Sequence, residues 1–487
     1  TVASEIGTHG YRPEQVIAKG RVGPGQILVV DTETGQVLHT EDMDELLKTR
    51  QPYKKWLRQH ARLISGSFAG EAVAAISGAE LDMYQKMFQV SFEERDQVLR
   101  PLAESGNEAV GSMGDDTPMA VLSRQERSLY EFFRQKFAQV TNPPIDPLRE
   151  SIVMSLEVDL GPERNVFVES AEHAERISLT SPVLSQAKFQ TIVELSEAGL
   201  RSTVIDATYD PGKANLRETV EALCSSAEAA IREGFQVLVL SDRQIAETRV
   251  PIHSLLVTGA VHHHLIRVGL RSECNLVIES GSARDSHHVA CLLGFGATAI
   301  YPYVAYSVIE DLLARNELLG DPQVCQKNFR KGINKGLLKI MSKMGISAVN
   351  SYRGAQLFEA VGLDSELVDI AFTGVTSRIG GVSLEQLEKD QWQVASRARS
   401  RRKTMDQGGL LKYVHGGEYH AYNPDVVMSL QSAVVSGEYR DYQAYATHCN
   451  DRPVAALRDL LTLKLAKSPV PLEEVEPIEA IFRRFDA

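Results

Sequence analysis

Gln236-Val-Leu-Val-Leu240, followed by Ser241-Asp242, and Asn275-Leu-Val-Ile278, followed by Glu279-Ser280-Gly281, decide the fold. Each is a short, continuous apolar run that closes in polar residues. Continuous rather than alternating runs belong to strands buried on both faces, the condition of a parallel sheet. The neighbouring segments complete the pattern. Ser202-Thr-Val-Ile-Asp206 and Ala297-Thr-Ala-Ile300 read as strands, and Leu216 to Glu233, Ile252 to Val268 and Ala283 to Leu293 as helices. Further on, the sequence predicts a helix ending near Met344, a strand at 346–349, a helix at 354–360 and a strand at 369–372. Alternating strands and helices make an α/β fold. About six regularly spaced strands point to a degenerate (β/α) barrel, with a doubly wound open sheet as the alternative.

Outward from this unit the character changes. Residues 1–58 read as a short β-rich remnant, with Gln26–Asp31 and Gln36–His39 as a hairpin about the turn Thr32–Gly35. Such a hairpin does not make a domain alone. Residues 41–140 read as mostly helical and charged, for example Glu126 to Ala138, until Asn142-Pro143-Pro144 breaks the run. Residues 376–412 are polar and basic, with Ser400-Arg-Arg-Lys403 inside, and read as a linker or a solvated helix. Residues 413–487 read as a helical C-terminal segment. The start without Met and the end directly after a helical pattern read as cut edges of something larger.

The 487 residues predict two or three domains. A net charge of −12 repels phosphate backbones, so no nucleic-acid partner is expected. Cys224, Cys274, Cys291, Cys325 and Cys449 form no C-x-x-C pair, which reads as a reduced intracellular chain without a cluster motif. No apolar run approaches the ~20 residues that span a bilayer, and no signal-peptide pattern opens the chain. A cytoplasmic location without a membrane partner is the expectation.

In a parallel α/β fold the chemistry gathers at the carboxyl ends of the strands, here Asp206, Ser241, Asp242, Glu279, Ser280 and Tyr301. Asp242 and Glu279 are the candidates for an acid/base pair, and the competing reading makes such carboxylates helix caps or ion-pair partners. His262-His263-His264 and His287-His288 stand out. Consecutive helical residues point about 100° apart, so the triplet cannot chelate one ion, and interface or helix-end hydrogen bonds are the simpler reading. Gly294-Phe-Gly296 and Gly374 to Gly381 are candidate phosphate cradles, the second read as following a strand and preceding a helix at Leu384. Neither fits a dinucleotide or Walker pattern, and tight turns explain the glycines equally. Thr1 is a formal N-terminal nucleophile, against the reading of a fragment boundary.

Pro251-Ile-His-Ser through His262-His263-His264, Glu279-Ser-Gly-Ser-Ala-Arg284, Gly294-Phe-Gly-Ala297, Tyr301-Pro-Tyr303, Lys335 to Ser347 and Ser351-Tyr-Arg-Gly-Ala-Gln356 together resemble the large subunit of glutamate synthase. So do Thr141-Asn142-Pro143, Met154-Ser-Leu156 and Leu160-Gly-Pro-Glu163. The resemblance runs from end to end. It implies that residues 1–58 close a glutamine amidotransferase domain, residues 59–412 form the central domain, and residues 413–487 lead into an FMN-binding domain. It implies a parent that makes two glutamates from glutamine and 2-oxoglutarate, with FMN and an iron–sulfur cluster. Its partners would be other domains of the same subunit, and a small flavoprotein subunit or ferredoxin. No catalytic residue, cofactor-binding residue or metal ligand is expected in this chain, and no activity of the fragment alone. The resemblance implies instead that the central domain lines an ammonia tunnel, with Met154, Ser181 and Ser280 as candidate lining residues. The alternative is a free-standing flavin- or phosphate-binding (β/α) barrel enzyme.

Overall fold

The computed structural model describes residues 2–5, 7–64, 76–109, 114–140, 145–197, 199–400, 405–465 and 468–485. Thr1 and the Thr141-Asn142-Pro143 motif lie outside the described residues, as do Arg401 to Lys403.

The centre is a mixed α/β unit: β1 (Leu200–Asp206), α1 (Leu216–Arg232), β2 (Val237–Ser241), α2 (Ser254–Arg267), β3 (Asn275–Glu279), α3 (Ser286–Gly294), β4 (Ala299–Tyr301), α4 (Tyr303–Ala314) and α5 (Pro322–Met344). The four strands run parallel in the order β4-β3-β2-β1, with Ser241 level with both Asp206 and Glu279, and Glu279 level with Tyr301. That register brings every strand-end residue singled out above to one edge. Every residue of β2, β3 and β4 is buried, as the unbroken apolar runs require. Each Val, Leu or Ile so covered contributes roughly 1.5–3 kcal/mol. Helix starts follow local chemistry. Asn215 and Glu218 form a reciprocal cap on α1, and Asp285 and Asp321 accept first-turn amides of α3 and α5.

The sheet is not a closed barrel among the described residues. At one edge Val183 bridges in parallel to Ile300 of β4. At the other, Ser196–Glu197 pairs antiparallel with β1. That hairpin occupies the edge a returning strand would need for closure.

Several local expectations are corrected. No strand forms at 346–349: Ala348 makes one bridge to Ser155, and a short helix, Val349–Tyr352, follows. The expected helix at 354–360 is a strand, Phe358–Ala360, paired with Phe133–Gln135 and Thr376–Ser377. The expected strand at 369–372 belongs to a helix, Ser365–Ala371, capped by Asp364, with Leu367, Val368 and Ala371 buried. Apolar residues at i, i+1 and i+4 suit one turn of helix as well as a short strand, and the cap decides. Glu126 to Ala138 is not helical. Arg127 and Glu131 have helical spacing, but Tyr130, Phe132 and Phe133 are all buried, and the segment crosses the core as a 3-10 turn and a strand.

The β-rich N-terminal remnant reduces to one hairpin of two-residue strands, Val29–Val30 and Val37–Leu38, followed by helices Thr40–Arg50 and Tyr53–His60. The C-terminal segment is helical as expected, with Pro424–Ser436 packed on Tyr439–Asn450 and Ile478–Phe485 at its end.

Candidate functional site

Two carboxylates at the strand ends have opposite surroundings. Glu279 accepts Ser241 Oγ at 2.6 Å and Arg243 Nε at 2.5 Å. The Arg243 guanidinium also lies over the Tyr303 ring, 4.2 Å from its centroid. Asp242 is fully buried and accepts the Gly281 amide with both oxygens, at 2.9 and 3.1 Å. Burial pushes its pKa up to about 8; the Gly281 amide and Tyr303 hydroxyl oppose the rise, and Glu279 adds to it. The outer carboxylate, Asp206, is taken up by Arg249 and by the Thr208 hydroxyl at 2.8 Å. The carboxylates therefore serve ion pairs and backbone amides.

Beside them lies a knot of hydroxyls. Ser254 Oγ is 2.8 Å from both Ser280 Oγ and Ser282 Oγ, and these two are 3.1 Å apart. Tyr130 Oη reaches Ser254 at 3.0 Å and Ser282 at 3.2 Å. All four residues are buried. Ser280 also accepts the amides of Ser282 and Ala283 at 3.1 and 3.2 Å. The Tyr130 ring stacks on His288, 4.4 Å between centroids, and meets His253 edge-on at 4.7 Å. Burial lowers His253 to about 3 and His288 to about 4, so both rings are neutral near pH 7. On the far side of Tyr130, His287 Nε2 bonds the Tyr130 carbonyl at 2.9 Å and lines an open cavity of about 500 Å³ with Glu131, Phe133 and Arg134.

The three tunnel candidates lie on separate elements. Ser280 belongs to the hydroxyl knot. Ser181 donates to Asn334 Oδ1 on α5 at 2.8 Å and accepts the Val183 amide. Met154 is buried where helix Pro147–Val153 ends. Neither serine caps a helix, because Ser185 and Asp285 hold those places.

The histidine triplet is dispersed as its spacing requires. His262 Nδ1 accepts Arg271 Nε at 2.8 Å, and His264 pairs with Glu228 at 2.9 Å. Among the described residues no three His, Cys, Asp or Glu side chains come together as metal ligands. Apart from Gly380, which faces open space, the glycines of both candidate cradles are packing positions. A Cβ on Gly296 would stand 2.2 Å from His262, one on Gly294 2.6 Å from Phe358, and one on Gly381 2.4 Å from the Gly362 carbonyl. The second cradle follows a helix, Ser365–Ala371, and not a strand.

Sequence reasoning missed Tyr130, Ser254 and Ser282, although Ser254 sits in the quoted Pro251–His264 motif and Ser282 in the quoted Glu279–Arg284 motif. It also missed Glu93, whose carboxylate accepts the four consecutive amides of Gly409 to Lys412. The paired glycines Gly408 and Gly409, both at positive φ, were the available signal.

A parallel α/β unit whose strand-end polar groups are held by ion pairs, amides and hydroxyls, and are buried except at the outer Asp206, defines an α/β domain. Residues 83–364 match the family model of the glutamate synthase central domain, and residues 1–56 match that of class-II glutamine amidotransferases. The chain belongs to the glutamate synthase central-domain family. It is similar to the chloroplastic ferredoxin-dependent glutamate synthase of Oryza sativa subsp. japonica, at 40% identity over 99% of this chain and 31% of that protein. It is also similar to the NADPH glutamate synthase large chain of Bacillus subtilis, at 36% identity over 99% of this chain and 32% of that protein. The chain thus spans about a third of the length of these curated relatives. The flavin-binding domain of baker's yeast flavocytochrome b2 aligns at 15% identity over 34% of this chain and 45% of that one, with a TM-score of 0.22, too low to bear on the fold. No described helix is long and apolar enough to cross a membrane. The rice relative is chloroplastic by name, so family membership does not fix a cytoplasmic site.

Proposed function

We propose that this chain is the connecting part of a glutamate synthase large subunit, joining the end of an amidotransferase domain (1–58) through the central domain (59–412) to the start of an FMN-binding domain (413–487). The observation that carries this is the colinear match of one chain, over 99% of its length, to proteins named glutamate synthases, with an amidotransferase model at its front and the central-domain model behind it. The parent activity would be formation of two glutamates from glutamine and 2-oxoglutarate. FMN and iron–sulfur chemistry would be supplied by other parts of that subunit, and electrons by ferredoxin or a pyridine-nucleotide flavoprotein.

Within this role the central domain would form part of the wall along which ammonia passes. Ammonia must stay unprotonated and out of bulk water, which calls for a buried wall without strong acids. The neighbourhood of Ser280 suits that demand. Its hydroxyls are buried and its histidines neutral. Four hydroxyl protons circulate among four oxygens, and with two amides also on Ser280 two of the eight lone pairs stay spare, so the knot can accept N–H groups but has no proton to give. Met154, Ser181 and Ser280 remain the proposed lining residues.

The test is made in the full-length large subunit. Met154→Trp, Ser181→Leu and Ser280→Val are each assayed for glutamine hydrolysis, for glutamate formed from glutamine, and for ammonia escaping to solution. A lining residue, when enlarged, leaves hydrolysis intact while glutamate formation falls and ammonia escapes. Full coupling in all three variants would remove the tunnel role from these positions.

A further inference from the structure

The helical stretch that opens at Phe92 is tied to two distant segments through adjacent residues. Ser91 is its N-cap and accepts the Glu94 amide at 3.1 Å. The first-turn amides of Phe92 and Glu93 have no partner within the helix, as in any helix start. They are satisfied by the carbonyls of Asp406 and Gln407, at 2.7 and 3.2 Å. The segment from residue 405 thus completes the cap. Its next amides, Gly409 to Lys412, converge on the Glu93 carboxylate at 2.8–3.1 Å. The segment is pinned again at His420, held between Asp116 Oδ1 at 2.8 Å and the Gly409 carbonyl at 2.9 Å.

The next residue, Glu94, faces the other way. It takes Arg284 Nε at 2.6 Å, in an ion pair buried at the Arg284 end and partly buried at Glu94. Arg284 closes the loop that carries the hydroxyl knot: its Nη1 donates to the Gly281 carbonyl, and its amide to His288 Nδ1 at 3.2 Å. Directly after Glu94 the helix takes a π turn, Arg95–Leu99, a geometry held only where surrounding contacts enforce it.

We propose that Glu93 and Glu94 are positioning residues that couple the docking of residues 405–412 to the placement of the Ser280–Arg284 loop. When the segment leaves, the Phe92 and Glu93 amides lose their acceptors, the first turn frays, and Glu94 no longer holds Arg284 in place. Coupling of this kind is reciprocal: releasing the loop must loosen the segment by the same factor. If Ser280 serves the passage proposed above, the position of the chain beyond residue 412 is thereby communicated to that wall. The coupling itself does not depend on that reading.

Amide hydrogen exchange on the 487-residue chain reads both ends directly. All four loop amides, Gly281 to Arg284, have hydrogen-bond acceptors, as do amides 409–412. Glu93→Gln is expected to speed exchange at 409–412 and, with it, at 281–284 by about ten-fold or more, while Val239 in the sheet keeps its protection. Gly408→Ala reaches the same end sterically, since its Cβ would stand 2.4 Å from Glu93 Cβ. Glu94→Gln tests the reverse direction and should loosen 409–412. The proposal is overturned if Glu93→Gln or Gly408→Ala frees 409–412 while 281–284 stay protected, or if Glu93→Gln leaves 409–412 unchanged. Should neither of those variants fold, unchanged exchange at 409–412 in Glu94→Gln overturns it.

Discussion

Asp242 grips the Gly281 amide with both carboxylate oxygens, at 2.9 and 3.1 Å, from the end of the neighbouring strand. The grip holds the Ser280 loop against β2, in a fully buried place that disfavours the charge. The folded-state pKa near 8 exceeds the unfolded value near 3.8, so the folded chain binds the extra proton. Stability from this group is therefore present below pH 3.8 and lost as pH rises to about 8. The slope reaches up to about 1.4 kcal/mol per pH unit. Asp242→Asn should flatten that loss. Urea midpoints for both proteins from pH 5 to pH 8 check it, and parallel curves would refute it.

The buried histidines set the opposite trend. His253 and His262 are lowered to about 3 and His288 to about 4, chiefly by burial. The unfolded chain binds more protons between those values and the usual 6.5, so their contribution is lost as pH falls from about 6.5 to about 4. His262→Gln should lessen this acid loss, read as the change in melting temperature between pH 6.5 and pH 4.5. EDTA should leave the melting temperature at pH 7 unchanged, because His262 pairs with Arg271, His264 with Glu228, and the half-buried His263 lies edge-on to the His262 ring, so the triplet does not converge on one ion.

Gly281 is where the loop meets Phe88, the residue that ends the helix Gly78–Met87. A Cβ there would stand 2.3 Å from the Phe88 ring. Its backbone is not in the left-handed region, so crowding alone opposes a side chain. Gly281→Ala should cost about 1–3 kcal/mol, and Phe88→Leu in the same chain should return part of it. A double-mutant cycle by urea unfolding measures this. Additive losses would mean that the contact is relieved elsewhere.

Arg95 is buried, with Nη1 donating to Gln85 at 2.7 Å and Nη2 to Asp311 at 2.8 Å. Asp311→Ala leaves that guanidinium facing only Gln85 and the half-exposed Glu317. The expected cost is about 3–5 kcal/mol, because the buried charge loses its close partner and keeps only the more distant Glu317. Arg95→Met together with Asp311→Ala should recover much of it.

The sheet was legible because β2 and β3 are written as unbroken apolar runs, and period and length leave little else for them to be. The carboxyl-end residues were legible for the same reason, since parallel register brings Asp206, Ser241, Glu279 and Tyr301 level. Closure was not legible, because it depends on what occupies the free edge of β1, and Ser196–Glu197 is only two residues long. Tyr130 and Ser254 escaped notice because they meet Ser280 only in space. They are 150 and 26 positions away from it, and neither lies in a strand-end motif. The role of Glu93 escaped for the same reason: its four partners lie more than 300 residues downstream.

The hydroxyl knot allows a prediction by counting protons. Ser280 Oγ already accepts the amides of Ser282 and Ala283, so both its lone pairs are taken and its own proton must be given away. That proton can pass to Ser254, which donates to Ser282, which donates to Tyr130, which returns its own to Ser254. Every proton then has an acceptor. Ser254→Ala removes three of those four links. Ser280 can still give to Ser282 and Ser282 to Tyr130, but the buried Tyr130 O–H is left without an acceptor in the knot. The expected loss is about 1–3 kcal/mol, the cost of one orphaned buried donor. Ser280→Ala keeps the ring of Ser254, Ser282 and Tyr130 closed and instead uncovers two amides. Exchange at Ser282 and Ala283 should therefore rise in Ser280→Ala well beyond its rise in Ser254→Ala. Urea unfolding and amide exchange on the two variants check both halves, and equal exchange at those amides would mean that Ser280 is not their acceptor.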